Sequence, residues 1–225
     1  MTTEEIESNL WEMANNLRGT MDASEYKNYI LAYMFYRYLS QREEKYLIDQ
    51  QLVAVKPSDV EDAFPETFKL AVAEEGNGDE VAGWKDFEED LISSLGYAIK
   101  PQFMWKKVVK DVNEGTAKAS DFQDMIDQFD VSVKKNVNSE GDFNGIFSDV
   151  HLGDSRLGSS TADRAKSIGG IIDLVDKTSY IGENGEDILG EIYEYLIKQF
   201  AASAGKKGGE FYTPHEVSQL IAKIV

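Results

Sequence analysis

Apolar side chains recur along this chain at intervals of three and four residues almost from end to end, the pattern of amphipathic helices. Ile6, Leu10, Met13, Ala14 and Leu17 fall on one face of a first helix. Thr2 and Glu5 offer a capping box ahead of it, and Gly19 is placed to stop it. A second helix is predicted from near Ser24 to Leu39. Its apolar residues cover almost the whole circumference, so it is expected to be central and buried on most sides. Five of the eleven tyrosines lie in it. Such a row of rings can serve as a platform for stacked bases; packing against flanking helices is the simpler reading and is favoured.

Pro57 and the run Ser58 to Glu61 open another capped segment, which Phe64 and Pro65 are expected to interrupt. Glu74 to Glu80 is polar and broken by glycine, and is expected to be the least ordered loop. Trp84, Phe87, Leu91 and Leu95 mark the next helix, closed by Gly96. Ser120 and Gln123 suggest a capping box for a helix carrying Phe122, Met125, Ile126, Phe129 and Val133. From Ser139 to Ser160 the texture changes to Gly, Ser, Asp and Asn, which predicts an ordered connector or a domain boundary. Three helical patterns follow: Ala165, Ile168, Ile172 and Val175; then Ile188 to Phe200; then Val217 to Ile224. In the last, Thr213 caps, Pro214 takes the first helical position and Glu216 closes the box. That pattern is still running at Val225, so the sequence is expected to be a piece of something longer. No stretch alternates apolar and polar for long, so strands are expected to be short and local.

Composition narrows the chemistry. The 225 residues contain no cysteine, which removes disulfides, thiol nucleophiles and sulfur-based zinc sites. His151 and His215 are the only imidazoles, and no metal site is expected. The longest uncharged stretches, 28–36 and 91–99, are far too short to span a bilayer, and the acidic N-terminus does not read as a signal peptide. A soluble cytoplasmic protein with no membrane partner is the expectation. The chain carries 23 basic against 41 acidic residues, a net charge of −18. Residues 1–100 hold 9 basic and 21 acidic of these, so that half is poorly suited to phosphate. Lys106, Lys107 and Lys110 form a local basic patch and are the candidate DNA contacts; Lys206 and Lys207 form another.

Several short motifs fail on inspection. Gly205-Lys206 lacks the upstream glycine and downstream hydroxyl of a phosphate loop, since Phe200 and Lys207 stand there. Gly208-Gly209-Glu210-Phe211 is one acid short of the signature of diguanylate cyclases. The i, i+3 pairs Asp173/Asp176 and Glu191/Glu194 read as solvated helix faces. No grouping of serine, histidine and carboxylate suggests a hydrolase.

The stretch from Asp187 to Pro214 (DILGEIYEYLIKQFAASAGKKGGEFYTP) resembles, almost letter for letter, the opening of the catalytic domain in the modification (methyltransferase) subunit of type I restriction–modification systems. Leu10 to Met21 (LWEMANNLRGTM), Glu25 to Ile30, Arg37 to Leu39, Gly96 to Pro101, Phe147 to Gly158 (FSDVHLGDSRLG), Arg164 and Ile171-Ile172 are similar to its helical N-terminal domain and connector. The resemblance covers essentially the whole chain. It implies a mainly α fold: a helical N-terminal domain, 1–160, followed by the opening helices, 161–225, of a truncated Rossmann-like α/β methyltransferase domain. It implies N6-adenine DNA methylation with S-adenosyl-L-methionine, whose pocket Glu210, Phe211, Tyr212, Thr213, Pro214 and His215 would line. Aromatic rings can flank such a cofactor, and a helix N-terminus can receive its carboxylate. The implied partners are a specificity subunit, a restriction subunit, a second modification subunit and duplex DNA. No catalytic residue is assigned: the family's Gly-rich loop and its Asn/Asp-Pro-Pro-aromatic motif are absent and would lie beyond Val225, so residues 1–225 are expected to be inactive alone. An alternative reading is an assembly and DNA-clamping module that binds the other subunits.

With this charge distribution, the chain without partners should bind duplex DNA weakly at physiological salt. Retention on a DNA column with a steep salt dependence would contradict the reading.

Overall fold

A computed structural model describes residues 23–54, 63–136 and 145–178, together with Ser8, Trp11, Phe143, Gly190 and Tyr195. The other segments, including the expected helices at 6–17, 188–200 and 217–224 and the capped run at 57–61, lie outside the described residues.

Helix α1, Ala23–Asp49, is 27 residues long and runs through the middle of the bundle. Tyr29 and Tyr33 are only 3% and 1% exposed and Phe35 is half-buried, so these rings belong to the core and the base-stacking alternative falls. The helix continues ten residues past the expected end. Its buried stripe persists through Leu39, Glu43 and Leu47, and the glutamate in that stripe hides the period from a hydrophobicity reading.

Helix α2 is Phe64–Glu75 and α3 is Glu80–Leu95. Pro65 sits in the first turn of α2, where its missing N–H is harmless, so it also helps to start a helix; the segment it was expected to interrupt lies outside the described residues. The turn between α2 and α3 is also unlike the expectation. It is fully hydrogen-bonded: Gly76 N–H donates to Val72 O, Gly78 N–H to Ala73 O and Asp79 N–H to Gly76 O. Asp79 Oδ1 then caps α3 by accepting from Val81 and Ala82 N–H at 2.9 and 3.2 Å. Asn77 and Gly78 supply the left-handed backbone, φ 51° and 94°. Where the helices cross, a Cβ on Gly83 would stand 1.9 Å from the carbonyl oxygen of Val72, so only glycine permits this approach. The reward is aromatic packing, with Phe68 edge-on to Phe87 at 5.4 Å.

Gly96 closes α3 as expected, in the left-handed conformation at φ 88°. Tyr97 to Lys100 then runs extended through the core, with Tyr97, Ala98 and Ile99 fully buried. A short 3-10 turn, Pro101–Phe103, leads into α4, Trp105–Asn113. Helix α5, Ala119–Val133, buries Phe122, Met125, Ile126, Phe129 and Val133 as the spacing predicts. Its start lies earlier than the Ser120 box. Lys118 is the N-cap, its N–H bonded to Asp121 Oδ2 at 2.8 Å, and a lysine has no acceptor with which to complete the box.

The glycine-rich connector is ordered over 145–160, with Phe147, Val150, Leu152 and Leu157 buried. Phe129 gathers the rings of Tyr97 and Phe147 at 5.6 and 5.3 Å. Helix α6, Thr161–Lys177, begins with a reciprocal box between Ser160 and Asp163. It lays Ile168, Ile171, Ile172, Leu174 and Val175 into the same core and packs against α1, α4 and α5. Residue 160 is therefore the cap of a helix that shares the bundle's interior. Among the described residues there is no strand, which agrees with a mainly helical N-terminal region.

Glu43 is fully buried, and burial pushes its carboxyl well above the ordinary glutamate range, although the Ile99 N–H bond pulls the other way. The folded chain therefore keeps a proton to a higher pH than the unfolded chain does. Stability from this site is full below the unfolded value, near 4.3, and is lost as pH rises. Glu43→Gln keeps an acceptor for Ile99 without a charge to desolvate. Its stability relative to the parent, measured by urea unfolding, should grow above pH 4.3 by at most about 1.4 kcal/mol per pH unit. A pH-independent difference would refute a neutral Glu43.

Gly83→Ala sets about 1 kcal/mol of helix propensity against an overlap with backbone. The overlap should win, for a net loss of about 1–3 kcal/mol. Gly153→Ala, with nothing within 4 Å, is the control.

Candidate functional site

Helix α4 collects the candidate DNA-contacting lysines. Trp105 and Val108 face the core, which leaves Lys106, Lys107 and Lys110 on the outer sides. Two of the three are already engaged. Lys106 Nζ lies 2.6 Å from Glu44 Oε1 on α1, with both side chains largely covered, and Lys107 Nζ lies 2.5 Å from Asp111 Oδ1 one turn on. Lys110 is exposed and makes no ion pair among the described residues. The three share one short helix, but their combined field is that of roughly one free cation. The second candidate group, Glu210, Phe211, Tyr212, Thr213, Pro214 and His215, lies outside the described residues.

A groove of about 490 Å³ runs along α1. Its walls are Leu31, Met34, Phe35 and Ile146, and its polar groups are Asn28 and Asp149. Among the described residues no cation lines it. Among the described residues no three acidic or histidine side chains are placed to hold a metal. No described helix is long and apolar enough to cross a membrane.

The polar residues that organise this region were not singled out by the sequence. Ser40 Oγ on α1 accepts from Trp105 N–H at 2.8 Å and so serves the start of α4, whose own N-cap, Met104, offers no side-chain bond. Trp105 Nε1 donates to Asp176 Oδ1 at 2.7 Å, and Asp173 pairs with Lys177 at 2.6 Å. The supposed solvated carboxylate pair on α6 thus has two separate structural partners. In the connector, hydrogen bonds from the Arg156 side chain and N–H hold Asp154 down to about 2, so that its carboxylate ties the turn. The Ser40–Trp105 and Trp105–Asp176 bonds left no signal in the sequence, because their partners lie 65 and 71 positions apart.

This helical bundle, with its buried extended segment and ordered connector, matches the family model described as the HsdM N-terminal domain over residues 6–175. The chain belongs to that family. Residues 184–225 match a second model, the N-6 DNA methylase. Among relatives of the HsdM N-terminal domain, a methylase subunit of the type I restriction enzyme MpnII from Mycoplasma pneumoniae is 29% identical, over 97% of this chain and 39% of its own length. The MjaIX methylase subunit of a type I enzyme from Methanocaldococcus jannaschii is 25% identical over 99% and 36%. The crystal structure of a type I restriction-modification methyltransferase subunit from Streptococcus thermophilus superposes with a TM-score of 0.73 at 29% identity, covering 99% of this chain and 44% of that one. The chain spans about two-fifths of the length of these relatives. The resemblance read from the 187–214 stretch and its companions holds.

Proposed function

We propose that this chain is the N-terminal part of a type I modification subunit, a site-specific DNA methyltransferase acting on adenine N6. The observation that carries the reading is the order of the two matches: the helical family model over 6–175, then the methylase model from 184 onward. The expected boundary at 160 is moved in this reading to the stretch after α6, a choice supported by the share that α6 has in the bundle's core. S-adenosyl-L-methionine, which supplies the methyl group when bound, is assigned to Glu210 through His215 by their match to the family's segment. The subunit would work in the cytoplasm with a specificity subunit, a restriction subunit, a second modification subunit and duplex DNA.

For the described bundle taken by itself, the assembly and clamping role is the better description. The chain is acidic overall and two of the bundle's three candidate DNA lysines are paired, which favours contacts with other subunits over DNA binding by the bundle alone. We retain Lys110 as a phosphate contact, with Lys106 and Lys107 joining it if Glu44 and Asp111 release them.

Calorimetry on residues 1–225 should detect no S-adenosylmethionine binding, while a polypeptide extended through the methylase region of the relatives should bind it. In the longer protein Tyr212→Ala should weaken binding by about 1–3 kcal/mol through loss of a flanking ring. Helical content should not change, because the cap belongs to Thr213. Tight binding by residues 1–225, or an unaffected Tyr212→Ala, would sink the assignment.

A further inference from the structure

The last turn of α6 is held from two sides by residues distant in sequence. Arg37, at the middle of α1, donates through its single Nη1 nitrogen to the carbonyl oxygens of Val175, at 2.5 Å, and Thr178, at 2.7 Å. Carbonyls at a helix end lack partners within the helix and form the negative pole of its dipole, so a guanidinium is well suited to this place. From α4, Trp105 Nε1 holds Asp176 at 2.7 Å. Thr178 is itself buried and turns its hydroxyl back to Leu174 O at 2.9 Å. The HsdM match ends at residue 175 and the methylase match begins at 184. The clamp therefore closes on the final described turn before the methylase region.

We propose that Arg37 is a positioning residue that fixes the direction in which the chain leaves the bundle and so sets how the methylase region is mounted on it; this rests on the function proposed above. Each residue unwound from the end of α6 would move the exit by about 1.5 Å and turn it by about 100°. Methyl transfer needs its reacting atoms aligned to about an ångström. Loosening the exit should therefore lower turnover in the assembled enzyme, whereas cofactor affinity, set by contacts within the methylase region, should stay.

The test uses the full-length subunit, with its specificity subunit for activity. Lys177, exposed at the end of α6, reports on the turn through tryptic cleavage of the Lys177–Thr178 bond, followed by mass spectrometry. Arg37→Met should speed that cleavage about tenfold, as expected for loss of charge-assisted bonds that keep a turn closed. It should also lower kcat on cognate DNA severalfold while leaving the Kd for S-adenosylmethionine within about twofold. Because one nitrogen makes both bonds, Arg37→Lys should recover part of both effects. Trp105→Phe, which removes only the bond to Asp176, should give a smaller change in the same direction and decides the matter should Arg37→Met not fold. Unchanged cleavage in these variants overturns the clamp. Faster cleavage with full kcat, or with cofactor affinity lost in step, overturns the positioning role. A parent subunit that neither binds S-adenosylmethionine nor methylates DNA sinks the functional reading instead, and the cleavage comparison still judges the clamp.

Discussion

An extended segment in the middle of a helical bundle must find hydrogen-bond partners that no helix gives it. Tyr97 to Lys100 is that segment. Ala98 N–H is received by Ser132 Oγ at 3.1 Å, Ile99 N–H by Glu43 Oε2 at 2.9 Å and Lys100 N–H by Gln128 Oε1 at 3.2 Å. Gln128 Nε2 returns a bond to Ala98 O at 2.9 Å. Each buried group left unpaired would cost about 1–3 kcal/mol, a large share of a domain's net stability. The bonds therefore dictate geometry elsewhere. Helix α1 must continue far enough to bring Glu43 inward, and α5 must present Gln128 and Ser132, one turn apart, on the same side. Tyr97 adds a bond from its hydroxyl to Leu39 O at 2.9 Å, fastening the segment to α1 a second time.

This arrangement explains which parts of the fold could be read from the residues and which could not. Periodicity located the buried faces of α3, α5 and α6, because there the core side is mostly apolar. It lost α1 after Leu39, where the buried position is a glutamate whose partner is a backbone N–H 56 residues away. Composition marked 74–80 as loose. Its glycines in fact make the turn tight, Gly78 by accepting positive φ and Gly76 because a Cβ there would stand 1.9 Å from the carbonyl oxygen of Asp79. That Pro65 opens α2 was not legible, because its place in the first turn depends on where the helix begins, which spacing alone does not fix. At the candidate site, residue type pointed to the lysines of α4, yet the pairing of Lys106 with Glu44 spans 62 positions and reverses what the patch offers. The motif at 187–214 identified the family without help from the described geometry.

Several of the bundle's long-range polar contacts meet at α4 and the end of α6, and their placement says what the bundle is built to hold. Helix α4 is short, and its capping residue contributes no side-chain bond. Its first N–H is served by Ser40, 65 positions earlier, so α1 rather than local sequence decides where α4 starts. Trp105, fixed by that bond, then reaches α6 through Asp176, while Arg37 reaches the same turn from α1. Ser40 and Arg37 lie three residues apart on one helix, so a single face of α1 sets both the beginning of α4 and the end of α6. A bundle kept together by apolar packing alone would tolerate sliding of α6 along α1, since hydrophobic contact is not directional. Directional bonds at the helix ends remove that freedom. They act where the described chain leaves the core, so the rigidity of α1 carries through to the turn that the methylase region follows.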